Sequence, residues 1–257
     1  MSSIPSLLAA GLLAAVTFAP TPAVAGTPAT EAWNRTLQKH GHKGGLDYAA
    51  LAKDRADLDT FLASLATVDV AKLPKAEQLA FWINAYNAVT AHHVLARYPA
   101  VRSVKDEAGF FDKLKYRVAG ADRSLDEIET AGRQLGDARI HFAVVCASTS
   151  CPDLLPEAFV PAKLEAQLAG QTRAFLSDPT KGLKLSADGS SVGLSSIFKW
   201  YAGDFTGGST VAAFFARGGV LDWVIAHAPE GTKAKLEAKK PSVTYLDYDW
   251  SLNDRKK

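Results

Sequence analysis

Arg139–Pro152 reads RIHFAVVCASTSCP, an almost wholly apolar run closed by Ser150-Cys151-Pro152. A short apolar run bounded by turn residues is the pattern of a buried strand, and the reading predicts one over residues 139–147. Strand parity then puts Ile140, Phe142, Val144 and Cys146 on one face and His141, Ala143 and Val145 on the other. Ala147–Ser150 are four small residues suited to a tight reversal. Pro152 is placed to open a helix, which would leave Cys151 at a helix N-terminus, where the dipole lowers a thiol's pKa.

Outward from this stretch, Lys75–Tyr98 has the strongest helical pattern and stops at Pro99. Phe81, Trp82, Ile83, Ala85, Tyr86, Ala88 and Val89 leave it almost no polar face, which predicts a central helix. Asn84 and Asn87 fall three apart on one side of it, either tying down a neighbouring loop or lining a pocket. His92 and His93, near its end, read as surface or rim residues. Ser124 and Glu127 make a capping box for a further helix. Leu183 and Leu185 face Val192 and Leu194 across Asp188-Gly189, a hairpin signal. Two helices split by Gly218-Gly219 carry Phe214, Phe215, Trp223 and Val224. The alternation of Leu246, Tyr248, Trp250 and Leu252 with polar residues closes the chain as a strand. No βαβ rhythm recurs, so the fold class is α+β: one domain over residues 26–257, with a mainly antiparallel sheet of about five strands packed against helices. That sheet is expected to include 139–147, 183–195 and 242–250, around a single core.

Residues 1–25 read as an export signal. Leu7–Phe18 is an apolar run of 12 residues, shorter than the roughly 20 that span a bilayer, and Ala23-Val24-Ala25 fits the small-x-small cleavage pattern. The expectation is an exported chain, periplasmic or secreted, with no membrane span once the signal is removed. With 29 basic against 27 acidic residues and a net charge of +2, the balance points away from nucleic acid as a partner. It leaves an unidentified small molecule or peptide. No glycine pattern for phosphate, no G-x-S-x-G and no cofactor motif occurs. The two cysteines, C-x4-C with one histidine, match no usual zinc spacing, and no metal is expected.

Three readings of Cys146 and Cys151 stay open. They form a disulfide, as an exported protein permits; or Cys151 is a nucleophile with His141 as its base, a thiol hydrolase or transferase pair; or both are structural thiols. The short return from Cys146 predicts Cys151 closer to Cys146 than to His141, with a Cα separation from Cys146 below about 7 Å. Trp200, Tyr201 and Asp204 are candidates to complete a pocket.

Several motifs occur together: Ala80-Phe-Trp-Ile-Asn-Ala-Tyr-Asn-Ala88, Ser124-Leu-Asp-Glu-Ile-Glu129, Arg139-Ile-His-Phe-Ala143 with Cys146 and Ser150-Cys-Pro152, and Leu194-Ser-Ser-Ile-Phe-Lys-Trp-Tyr201 with Asp204-Phe205. In this order, over about 73–205, they resemble the family called domain of unknown function 547. The resemblance implies that His141, Cys146, Cys151, Asn84, Trp200 and Asp204 occupy motif positions. Fusion of some eukaryotic relatives to glutaredoxin-like modules favours thiol chemistry or thiol ligands. Val145 stands where relatives carry Asn, so no amide donor is implied there. The leading expectation is a cysteine-dependent hydrolase or transferase. The alternative is a non-catalytic periplasmic binding or interaction module, and a structural envelope protein is a third class.

Overall fold

In the computed structural model, which describes residues 27–42, 44–207 and 217–255, the central element is the helix Lys75–Leu95. Fifteen of its 21 residues are buried, as its lack of a polar face requires. In chain order the helices are α1 (Pro28–His40), α2 (Tyr48–Leu51), α3 (Ala56–Ser64), α4 (the central helix), α5 (Leu125–Arg133), α6 (Leu164–Ser177), α7 (Ser196–Trp200), α8 (Ala202–Phe205), α9 (Arg217–His227) and α10 (Glu230–Lys239). The strands are short: β1 (Gly41–His42), β2 (Gly45–Leu46), β3 (Tyr116–Val118), β4 (Ala121–Arg123), β5 (Leu183–Leu185), β6 (Ser191–Leu194) and β7 (Ser242–Tyr245).

The molecule is thus mixed α and β, but the single five-stranded sheet is not what forms. Two antiparallel pairs, β1–β2 and β3–β4, stand beside a three-stranded sheet ordered β5-β6-β7. Within that sheet β5 and β6 are the expected hairpin, with Leu183 opposite Leu194 and Leu185 opposite Val192. Asp188 closes its turn by accepting from the Ser186 and Ser190 hydroxyls and the Ser190 amide, with Gly189 at φ +73°. β7 joins β6 in parallel. Gly218 and Gly219 both lie in the first turn of α9, and the helix expected before them lies outside the described residues. Residues 1–25 and the segment with Phe214 and Phe215 lie outside the described residues.

The largest correction falls on 139–147. Ala138–Phe142 is a 3-10 helix, and 143–147 is irregular. Asp137 caps the turn by accepting from the Arg139 amide at 3.0 Å, and its carboxylate pairs with the Arg139 guanidinium at 2.8 Å. Buried irregular backbone must still satisfy its polar groups. Here Asn87 does so from α4: its amide donates to the Ala143 carbonyl at 2.9 Å and its side-chain oxygen accepts from the Val145 amide at 2.8 Å. Asn84 holds both backbone groups of Phe159 in the same way. Both asparagines tie loops to the central helix. A short apolar run reads alike as strand or buried turn, and the side-chain partners that decide it come from 50 to 60 residues away.

Buried apolar residues form two adjoining clusters rather than one core. The larger surrounds α4 and includes Ile140 and Ala143; the other gathers Phe142, Phe175, Phe198, Phe205 and Val224 around the three-stranded sheet. The 138–144 turn therefore sits at their junction. Gly132 on α5 lets that turn approach closely, because a Cβ there would lie 2.5 Å from Ile140 Cδ1.

His93, read as a rim residue, is 5% exposed, and its buried Nε2 has no hydrogen-bond partner among the described residues. Burial, with His92 and Arg97 adding to it, pushes its pKa down to about 4. The unfolded chain binds the proton nearer the ordinary value, so this stabilisation is complete above about pH 6.5 and is lost as pH falls toward the folded value, by about 3 kcal/mol in all. Urea unfolding of the native chain and His93→Leu, compared at about pH 7 and about pH 4.5, checks this. The native chain should lose more on acidification, and equal losses would remove His93 as the cause.

Candidate functional site

α5 opens with the expected capping box, Ser124 accepting from the Glu127 amide at 3.2 Å while the Glu127 carboxylate accepts from the Ser124 amide at 2.7 Å. That fixes its buried face, which carries Leu125, Ile128, Glu129 and Gly132. Glu129 is an acid among apolar neighbours, and Arg133 follows one turn later. Opposite them His141 leaves the 3-10 turn almost wholly buried. Its Nε2 lies 2.7 Å from Asp204 Oδ2 and its Nδ1 3.9 Å from Glu129 Oε1. The imidazole packs on Tyr201 at 4.1 Å between centroids and on Phe205 at 5.3 Å. Asp204, on α8, is held by Arg133 through bonds of 2.7 and 3.2 Å.

These contacts set the protonation. His141 and Arg133 hold the Asp204 carboxyl far below the usual carboxylate range. Asp204 is then an acceptor only, so the His141 proton on that side sits on Nε2. Burial pushes the His141 pKa down, against the pull of Asp204. The neutral ring with Nδ1 unprotonated is the form this favours. Burial also raises the Glu129 carboxyl, outweighing its hydrogen bond from Tyr201 and the nearby Arg133 charge.

His141 and Glu129 line a cavity of about 240 Å³. Cys146, Cys151, Trp200 and Tyr201, all singled out in the sequence, also line it, while Asn84, Asn87 and Asp204 do not. Asp204 stands behind His141 instead. Strand parity had separated His141 from Cys146; the 3-10 turn brings them to one cavity.

The cysteines are joined as a disulfide with Cα atoms 6.3 Å apart, inside the expected limit. No helix starts at Pro152, so the dipole expected at Cys151 has no source. Cys151 Sγ instead accepts from the Cys146 amide at 2.9 Å and from the Tyr248 hydroxyl at 3.3 Å. Tyr248 in turn accepts from the Ser148 hydroxyl at 3.2 Å, and burial lifts its pKa to about 12. No cluster of three or more metal-ligating side chains occurs among the described residues.

Residues 70–176 match the family model described as protein of unknown function, DUF547. This segment is a DUF547 domain. No curated protein and no solved structure matches the chain. The DUF547 segment supplies Tyr86, Asp126, Glu129, His141 and both cysteines, whereas Trp200, Tyr201, Tyr248 and Trp250 come from beyond it. The cavity is complete only with the chain that follows the domain.

Sequence reasoning passed over Glu129, Arg133, Tyr248 and Trp250 as site residues. Glu129 carried a signal: an acid four residues after Leu125 on the face that α5 buries. Tyr248 and Trp250 carried none beyond their alternation.

Proposed function

We propose that the DUF547 cavity is an active site for hydrolysis or group transfer on a small molecule, with His141 as general base. The carrying observation is the 2.7 Å bond from His141 Nε2 to Asp204, which orients the ring and leaves Nδ1 as the proton acceptor. Glu129, made a weaker acid by burial, supplies the matching proton donor. Two titratable groups whose surroundings push their pKa values apart are the usual basis of acid and base roles. With the disulfide closed neither sulfur is a nucleophile, so a step through Cys151 belongs to the reduced protein. There the Cys146 amide and Tyr248 hydroxyl against Cys151 Sγ would favour the thiolate. An exported location, expected from residues 1–25, suits the oxidised pair. The fallback is a binding module that uses the same cavity without turnover.

A panel of p-nitrophenyl esters and aryl thioesters, run on oxidised and dithiothreitol-reduced protein, tests the reading. His141→Gln should lower turnover by at least about 100-fold. Turnover that requires reduction and disappears in Cys151→Ser would make the thiol the nucleophile. Turnover equal in native protein and His141→Gln would overturn the proposal.

A further inference from the structure

We infer that this cavity takes a small organic cation, an alkylammonium compound, held between the Glu129 and Asp126 carboxyls and an aromatic wall of Trp200, Tyr248 and Trp250. The inference rests on the proposed site only in placing the ligand there; it holds whether or not turnover follows.

Among the described residues the lining contains no lysine and no arginine, while it contains two carboxyls. An anion would enter with no countercharge and with two acids facing it. The nearest guanidinium, Arg133, is occupied: it is bidentate on Asp204 and lies 4.6 Å over the Tyr201 ring. Glu129 is 8% exposed, and burial holds its carboxyl toward the neutral form despite the nearby Arg133 charge; a cation beside it would draw it back to the carboxylate.

The aromatic wall is a second and independent observation. Trp200 and Tyr248 lie 4.8 Å apart between centroids, Tyr248 and Trp250 4.7 Å, and Trp200 and Trp250 5.6 Å. Trp200 is 48% exposed, so a ligand can reach its ring from solvent. Faces of aromatic rings attract cations through their quadrupole, indole most strongly, by about 0.5–2 kcal/mol. One ring of this wall already holds a cation, with Lys105 Nζ 4.2 Å over Trp250. A hydrophobic ammonium would meet rings on one side and carboxyls on the other.

Tryptophan fluorescence and calorimetric titration of the full chain with choline, its neutral carbon isostere 3,3-dimethylbutan-1-ol, and acetate test this. Choline should bind saturably and at least about tenfold more tightly than the isostere. Glu129→Gln and Trp250→Leu should each shrink that preference to below about threefold, with folding checked by circular dichroism. An isostere that binds as tightly as choline, tighter acetate, or no saturable choline binding overturns the inference. If choline fails while esters still turn over through His141, only the cation inference falls. If choline binds without any turnover, only the catalytic reading falls.

Discussion

With His141 as the proposed base, Asp204→Ala is expected to remove ester turnover and to weaken the fold together. Asp204 ties α8 to both the 3-10 turn, through His141, and α5, through Arg133. Without it the imidazole loses the acceptor that fixes its tautomer, and Nδ1 is no longer held beside Glu129. Loss of the orienting carboxylate in a histidine-based site costs about 10⁴-fold in turnover. The stability loss comes from Arg133 and His141, left as partly and fully buried polar groups without their partner. About 3 kcal/mol is expected, toward the low end for breaking a buried pair, because Asp204 and Arg133 keep 28% and 29% of their side-chain surface. Asp204→Asn separates the two effects: it keeps a polar partner of the same shape, so stability should largely return while turnover stays low. The depressed Asp204 pKa adds a sign: its stabilisation is present above about pH 4 and is lost as pH falls through the folded value. Urea unfolding and ester turnover of both variants check this. Full activity in Asp204→Asn would mean that His141 does not depend on this contact.

What the sequence disclosed follows from the range of the interactions involved. The α4 helix, the Ser124–Glu127 cap and the Leu183–Leu194 hairpin are all specified by residues within a few positions of one another, and each forms where its pattern lies. The 138–147 stretch is different. Its path depends on Asn87, 56 residues away from Ala143, so its own apolar pattern favours a strand that never pairs. The error spread to the site, because strand parity sets His141 and Cys146 on opposite faces, whereas both line one cavity. The closeness of the two cysteines was legible from their spacing, whereas the disulfide itself was one of three open readings. The Asp204–His141 pair was not, since its members stand 63 residues apart and no local pattern joins them. Glu129 was hidden by its place in a capping motif, which explains the neighbouring Ser124 and Glu127 but not an acid on the buried face.

Truncation after Tyr245 is expected to cost more stability than any other change considered, because the last residues work as a strap and not as the single strand that their alternation suggests. β7 ends at Tyr245, yet the chain keeps bonding. The Leu246 amide donates to the Leu194 carbonyl at 2.8 Å, Leu252 to Arg102 at 2.7 Å, and Asn253 to Ala147 at 2.9 Å. Thr149 donates to the Ser251 carbonyl at 2.8 Å. Buried Asn253 accepts from the Tyr48 hydroxyl at 3.2 Å, and Asp254 from the Tyr98 hydroxyl at 3.1 Å. These contacts run from the three-stranded sheet of one cluster to α2 and the end of α4 in the other, passing over the disulfide loop. Their removal leaves several buried donors and acceptors unpaired, at about 1–3 kcal/mol each. Against a total stability of about 5–15 kcal/mol, the loss is enough to unfold the chain. The same cut takes Tyr248 and Trp250 from the cavity, so ligand binding should vanish with it. Near-ultraviolet circular dichroism and urea unfolding of the truncated chain read the first effect. Asn253→Ala, expected to cost about 1–3 kcal/mol, reads one anchor with the cavity rings in place. A truncated chain that unfolds cooperatively at the native midpoint would show that the two clusters hold together without the strap.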